Sequence, residues 1–200
     1  LVYTVTDKDG LTDTGTFSIN IAQVNDAPVA DNDAATTDED HAVTIDVLDG
    51  IKNILPNGVD FDFQNAFSSL LDAYKKCELL QESKLGLYML SSIPVDRAEP
   101  SESLKATTVW SGGLNPETKI LISDHQVENF KSGRELVTET DIRATRGAYY
   151  INTSMALEKD ASKEWMIVAE INQQSTDVVN LSNAIKTNEN IKRLVDADIE

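Results

Sequence analysis

The chain is 200 residues long and carries 17 basic against 34 acidic side chains, a net charge of −17. That length buries a real core as one ordinary domain or two small ones, and the acidic balance argues against nucleic-acid binding, where Lys and Arg must neutralise phosphates. No apolar run approaches the roughly 18 residues of a membrane-spanning helix, and the single cysteine, Cys77, has no partner for an intramolecular disulfide.

The charge is unevenly placed. Residues 1–50 hold ten Asp, one Glu and one Lys, a net of −10, whereas residues 51–200 hold 23 acidic and 16 basic residues, a net of −7. An acidic, cation-seeking front segment therefore precedes a section of more ordinary charge. Residues 1–6 alternate, with Leu1, Tyr3 and Val5 on one face and Thr4 and Thr6 on the other, the pattern of a half-buried strand. Asp7-Lys8-Asp9-Gly10 is a turn, in which Asp bonds its own backbone and Gly tolerates positive φ. Strand character resumes from Thr16 to Val24, with Phe17, Ile19 and Ile21 inward and a bulge or strand end near Ala22-Gln23. These two strands are expected to pair as the closing hairpin of a β-sandwich repeat. A start in mid-strand at Leu1-Val2-Tyr3, with no signal-peptide pattern, reads as a fragment.

Val24-Asn25-Asp26-Ala27-Pro28-Val29-Ala30-Asp31-Asn32-Asp33, followed by Thr37-Asp38-Glu39-Asp40, crowds carboxylates and amides around one proline. Ala27-Pro28 is a stiff, non-helical connector, because proline fixes its own φ and holds its predecessor extended. Hard oxygens on a stiff segment suit Ca²⁺, which takes six to eight of them in flexible geometry. Asp7, Asp9, Asp26, Asp31, Asp33, Asp38 and Asp40, with Asn25 and Asn32, are the available ligands. A solvated acidic linker over residues 25–40 fits the same charge pattern. The arrangement is not an EF-hand, since Asp7-Lys8-Asp9-Gly10 lacks the further ligands and the bidentate Glu at the twelfth position.

Ala42 to Val47 alternates again, with Val43, Ile45 and Val47 inward. Asp49-Gly50 and Pro56-Asn57-Gly58 are turn formers, and they place a boundary near residues 49–58. Beyond it the period changes. Phe63, Phe67, Leu70, Leu71, Tyr74 and Cys77 share one helical face, which predicts a helix near 60–82 with Asp60 or Asp62 as N-cap and an aromatic stripe packed in the core. Gly86 to Leu90 reads as a short buried strand and Pro94 to Ser103 as a loop. Ala106 to Trp110 and Lys119 to Ile122 are strand-like and are joined by turn chemistry at Ser111 to Pro116. Glu135-Leu136-Val137 and Ala148 to Ile151 are further strand candidates. Near the end, Ile167, Ile171, Val178, Leu181 and Ile185 predict a helix over about 162–195. The rival reading makes Trp165 to Ile171 a buried strand, with the helix starting near Ser175.

"YTVTDKDGLTDTGTFSINI", then "VNDAPVADNDAATTDED" and "AVTIDVL", resembles the junction between tandem cadherin-like or immunoglobulin-like repeats of large, secreted, calcium-dependent bacterial adhesins. The resemblance covers residues 1–50 and ends there. It implies calcium at the turns and linker, with Asp7, Asp9, Asp26, Asp31 and Asp33 as the metal ligands, and a rod stiffened by the ion. It also implies a secreted or cell-surface location. The repeat pattern does not continue past Gly50, so neither flanking repeat is complete. A two-stranded piece is marginally stable by itself.

Catalysis finds little support in the pattern. His41 and His125 have no neighbouring nucleophile or metal-ligand spacing, and Asp124-His125 reads as a surface loop. Ser111-Gly112-Gly113 lacks the Gly-x-Ser-x-Gly frame, and no phosphate-cradling glycine loop is present. Gly147-Ala148-Tyr149-Tyr150, followed by Glu164 to Ile171, is similar to the end of Cache-type extracytoplasmic sensor domains. That likeness implies a small ligand, with Tyr149, Tyr150 and Trp165 as core or pocket wall. Arg193 to Glu200 is similar to a short motif in the C-terminal helix of flagellins, which implies a filament subunit. The expected architecture is α+β: an incomplete β-sandwich segment at 1–50, then a mixed α+β domain at 51–200. The expected role is non-enzymatic adhesion to a cell-surface or extracellular ligand, with no nucleic acid and no membrane span. A small-ligand sensor and a filament subunit are the alternatives.

Overall fold

The computed structural model describes residues 2–6, 8–16, 41–91, 105–187 and 195. It divides into two compact units, Leu1–Ala35 and Thr36–Glu200.

In the first unit β1 (Val2–Thr6) pairs antiparallel with β2 (Thr12–Thr16), in a register running from Val2↔Thr16 to Thr6↔Thr12. The turn between them carries Gly10 at a φ of +85°, a conformation only glycine adopts at no steric cost. The returning strand starts at Thr12 rather than Thr16. Thr12, Thr14 and Thr16 set a β-branched residue at every second position, which suits a pleated strand better than it suits a turn. Phe17, Ile19, Ile21 and Val24 lie outside the described residues.

The second unit is α+β and predominantly antiparallel sheet. In chain order it runs β3 (Val43–Ile54), α1 (Phe61–Ala66), α2 (Ser68–Tyr74), β4 (Lys75–Leu80), β5 (Leu85–Leu90), β6 (Ala106–Gly112) and β7 (Lys119–Leu121). It continues with α3 (Val127–Lys131), β8 (Asp141–Arg143), β9 (Gly147–Leu157), β10 (Met166–Gln173) and α4 (Ser175–Thr187). One sheet has the order β10-β6-β5-β4-β8 and the other β3-β9-β7, with every pairing antiparallel.

Strand alternation assigns the two faces of each sheet to different cores. Cys77, Leu79, Tyr88 and Val109 from the larger sheet meet Ile54, Ile120, Tyr149 and Ile151 from the smaller in one buried cluster. Their sequence neighbours point the other way. Leu85, Leu87 and Trp110 receive Val178, Leu181 and Ile185 of α4, while Leu121, Ala148 and Tyr150 receive Val127 and Phe130 of α3. The result is two face-to-face sheets, each with a helix on its outer side.

Three departures from the sequence pattern have physical causes. First, β3 runs unbroken through Gly50, where a boundary between 1–50 and 51–200 was expected. A Cβ at Gly50 would sit 2.1 Å from the Tyr149 carbonyl oxygen, so the glycine serves close approach to β9 and not a turn. Second, the helix expected over 60–82 breaks at Phe67 and ends at Tyr74, and Cys77 lies in β4. Lys75, Cys77 and Leu79 are buried and Lys76, Glu78 and Leu80 half-buried, a period of two that overrides the coincidence of Cys77 with the helical face. Asp60 is the N-cap, accepting from the Phe63 amide at 2.7 Å. Of the expected core stripe, Leu71 is fully buried, but Phe67 and Leu70 are half-exposed. Third, the helix expected over 162–195 gives way to strand β10 before α4, which favours the strand reading of 165–171, although the strand is half-buried rather than buried and Ile171 is exposed. Val168 and Ile167 pack on opposite faces of that strand, Val168 beneath α4 and Ile167 against the inter-sheet cluster. The strands Ala106–Gly112 and Lys119–Leu121 also belong to different sheets, so the turn between them crosses from one layer to the other.

Candidate functional site

Of the five aspartates assigned to calcium, Asp9 is described and Asp7, Asp26, Asp31 and Asp33 lie outside the described residues, as do Asn25, Asn32, Asp38 and Asp40. Asp9 occupies the exposed hairpin turn, where its carboxylate meets Lys8 Nζ at 2.7 Å. An exposed pair of this kind contributes about 0–1 kcal/mol. Among the described residues no three His, Cys, Asp or Glu side chains converge as a metal site.

In the second unit, two concave regions and one buried carboxylate stand out. Glu139 is buried and acts as a staple: Oε2 accepts from the Ile122 amide at 2.9 Å, the Ser123 amide at 2.8 Å and Ser123 Oγ at 2.9 Å. Its Oε1 accepts from Gln126 Nε2 at 2.9 Å, and Gln126 Oε1 in turn accepts from the Val137 amide at 2.9 Å. All these partners hold the turn after β7 in place, and nothing in the arrangement presents the carboxylate to a substrate.

A cleft of about 620 Å³ runs along the smaller sheet. Asp46, Asn152 and Ser154 come from β3 and β9, Asn115, Glu117 and Lys119 from the crossing turn and β7, Phe130 from α3, and Arg134 and Leu136 from the segment after it. Lys119 Nζ bridges to Glu135 at 3.0 Å. Amides, hydroxyls and opposed charges in one trough suit a polar ligand without large net charge.

The smaller recess, about 270 Å³, is chemically sharper. Asn53 near the end of β3 and Leu55 just after it, Phe61, Gln64 and Asn65 on one face of α1, Lys75 at the start of β4, and Arg146 before β9 line it. The Lys75 side chain is 2% exposed, and its ammonium donates to Gln64 Oε1 at 2.6 Å and meets Asp72 Oδ1 at 2.7 Å. Arg146 Nε lies 3.7 Å from Asp72 Oδ2. Burial raises the Asp72 pKa, but the hydrogen bond and charge of Lys75, then Gln64 and Arg146, outweigh it and hold the group below the usual carboxylate range.

No protein-family model matches the chain, and no curated protein matches it.

The residues carried by the Cache-like stretch are structural here. Tyr149 is fully buried between the sheets, with its hydroxyl donating to the Lys84 carbonyl at 2.8 Å, and Tyr150 is buried beneath α3. Trp165 packs at the edge of the inter-sheet cluster and donates from Nε1 to Asp49 Oδ2 at 2.7 Å. His125 is exposed in the turn before α3, beside exposed Asp124. Cys77 is buried, and burial pushes its thiol up to about 12, so it is protonated and inert at neutral pH. Of the flagellin-like stretch Arg193 to Glu200, Val195 alone is described, half-buried against the α4 cluster.

Sequence reading missed Lys75, Asp72, Gln64 and Arg146. They come from α1, α2, β4 and the turn before β9, and no spacing rule joins them. The available signal was a lysine at an inward position of the alternating run Lys75 to Leu80, legible only once that run is read as a strand.

Proposed function

We propose that this chain is a fragment of a secreted or surface-displayed bacterial adhesin-like protein with calcium-stiffened repeats and a non-enzymatic binding role. The supporting observation is the antiparallel hairpin β1–β2, closed by Asp-Lys-Asp-Gly and followed along the chain by the acidic connector that resembles a cadherin-like repeat junction. In this reading Asp7, Asp9, Asp26, Asp31 and Asp33 hold Ca²⁺. Ten aspartates in fifty residues repel one another, and a divalent ion relieves that repulsion while fixing the backbone that carries its ligands. The second unit meets the extracellular ligand, and the cleft beside β9 offers the polar surface for it.

Calorimetric titration of the whole chain tests the metal assignment. Saturable heat with Ca²⁺, weaker with Mg²⁺, and a loss of affinity of about tenfold or more in the Asp26→Asn/Asp31→Asn/Asp33→Asn chain are expected. Absence of saturable heat up to millimolar Ca²⁺ overturns the reading.

A further inference from the structure

We propose that the recess under α1 binds a small aromatic monocarboxylate, with the carboxylate on Lys75 and Arg146 and the ring against Phe61 and Leu55. The inference concerns the second unit alone and does not rest on the adhesin reading.

Charge is the first ground. Asp72 contacts both cations, Lys75 through Oδ1 and Arg146 through Oδ2, and one carboxylate neutralises one of them. A positive charge is left over at the recess, and no acidic side chain lines it. In a chain of net −17 this is a local inversion of sign.

Donor count is the second. An ammonium has three N–H donors and a guanidinium five. Gln64 and Asp72 take two from Lys75, and the third has no partner among the described residues. Arg146 meets Asp72 through Nε at the long distance of 3.7 Å, which leaves its terminal N–H fork open toward solvent; the side chain is 57% exposed. That planar fork matches the two oxygens of a carboxylate. The amide side chains of Asn53 and Asn65 stand at the same wall.

Shape and polarity give the rest. Phe61 is 67% exposed at the recess, an apolar surface that a ring would cover. The volume of about 270 Å³ holds a phenyl ring with a short acid arm. An inorganic anion would leave Phe61 and Leu55 uncovered. An amine would meet two cations and find no carboxylate on the lining.

The test uses the whole chain with phenylacetate as probe, followed through the side-chain amide NMR signals of Asn53, Gln64 and Asn65. Phenethylamine and inorganic phosphate run in parallel. Saturable shifts at these amides with a Kd of about 1 mM are expected for a ligand of this size. Arg146→Ala should weaken binding about tenfold, Arg146→Lys less, and Phe61→Ser should weaken phenylacetate but not acetate. Arg146 and Phe61 are exposed, so these variants keep the fold, which the unchanged amide spectrum elsewhere verifies. The proposal is overturned if the shifts do not saturate, if Arg146→Ala binds as well as the parent, or if phenethylamine or phosphate binds as tightly as phenylacetate.

Discussion

The Tyr88 hydroxyl donates to the Ala148 carbonyl at 2.6 Å, joining the central strand of the five-stranded sheet to the central strand of the three-stranded one. Tyr88 is 1% exposed, and Gly147 makes room for its ring, since a Cβ there would lie 2.5 Å from Tyr88 Cδ1. Tyr88→Phe keeps the ring and removes the bond, leaving a buried carbonyl one partner short. It should lower unfolding free energy by about 1–2 kcal/mol in urea titration.

The same core predicts an alkaline limit to stability. Burial raises the Cys77 thiol from 9.0 to about 12, the Tyr149 hydroxyl from 10.0 to about 12, and the Tyr88 hydroxyl well above its ordinary value. Each folded pKa exceeds its unfolded one, so the folded state holds more protons in the window between them. The contribution is complete below pH 9.0 and is lost as pH rises toward about 12. Removing the thiol with Cys77→Ala should flatten the fall of stability between about pH 9 and 11 by up to one proton, about 1.4 kcal/mol per pH unit. Urea midpoints across that range give the slope.

Gly50→Ala should destabilise the second unit by about 2–4 kcal/mol, measured by chemical denaturation, because the strand must move from Tyr149 to admit the methyl group. Removing residues 1–35 should leave that unit folded. A chain starting at Asn53 instead loses Val43, Ile45, Val47 and Leu48 from β3, and exposes the edge of β9. It should lose roughly 4 kcal/mol or fail to fold, as read from amide NMR dispersion.

Glu139→Gln should cost about 2–3 kcal/mol in the same assay. Four hydrogen bonds end on this carboxylate, and an amide replaces one acceptor oxygen with a donor that would face other donors.

Local chemistry was legible in the sequence wherever one interaction decides it. Asp60 caps α1, Gly10 closes the hairpin turn, and the alternation at 43–47 and the strand candidate at 148–151 both fall in strands of the smaller sheet. Failures occurred where a distant neighbour decides. Gly50 reads as a turn until Tyr149 lies across it, and Cys77 fits a helical stripe until Tyr88 pairs opposite it. Phe67 and Leu70 fit that stripe too, yet half of each faces solvent once the helix stops at Tyr74. The Lys75 recess follows the same rule, since its parts meet only through the layering of α1, β4 and the turn before β9.

Limited proteolysis reports whether calcium stiffens the acidic segment. A serine protease that cleaves after small residues has targets at Val29, Ala30, Ala34 and Ala35, within the stretch that carries Asp26, Asp31 and Asp33. Cleavage there should slow about tenfold or more in millimolar Ca²⁺, and much less in Mg²⁺, which demands a near-ideal octahedron and gives up its waters reluctantly. Equal cleavage rates in calcium and in chelator would mean that no ion stiffens the segment.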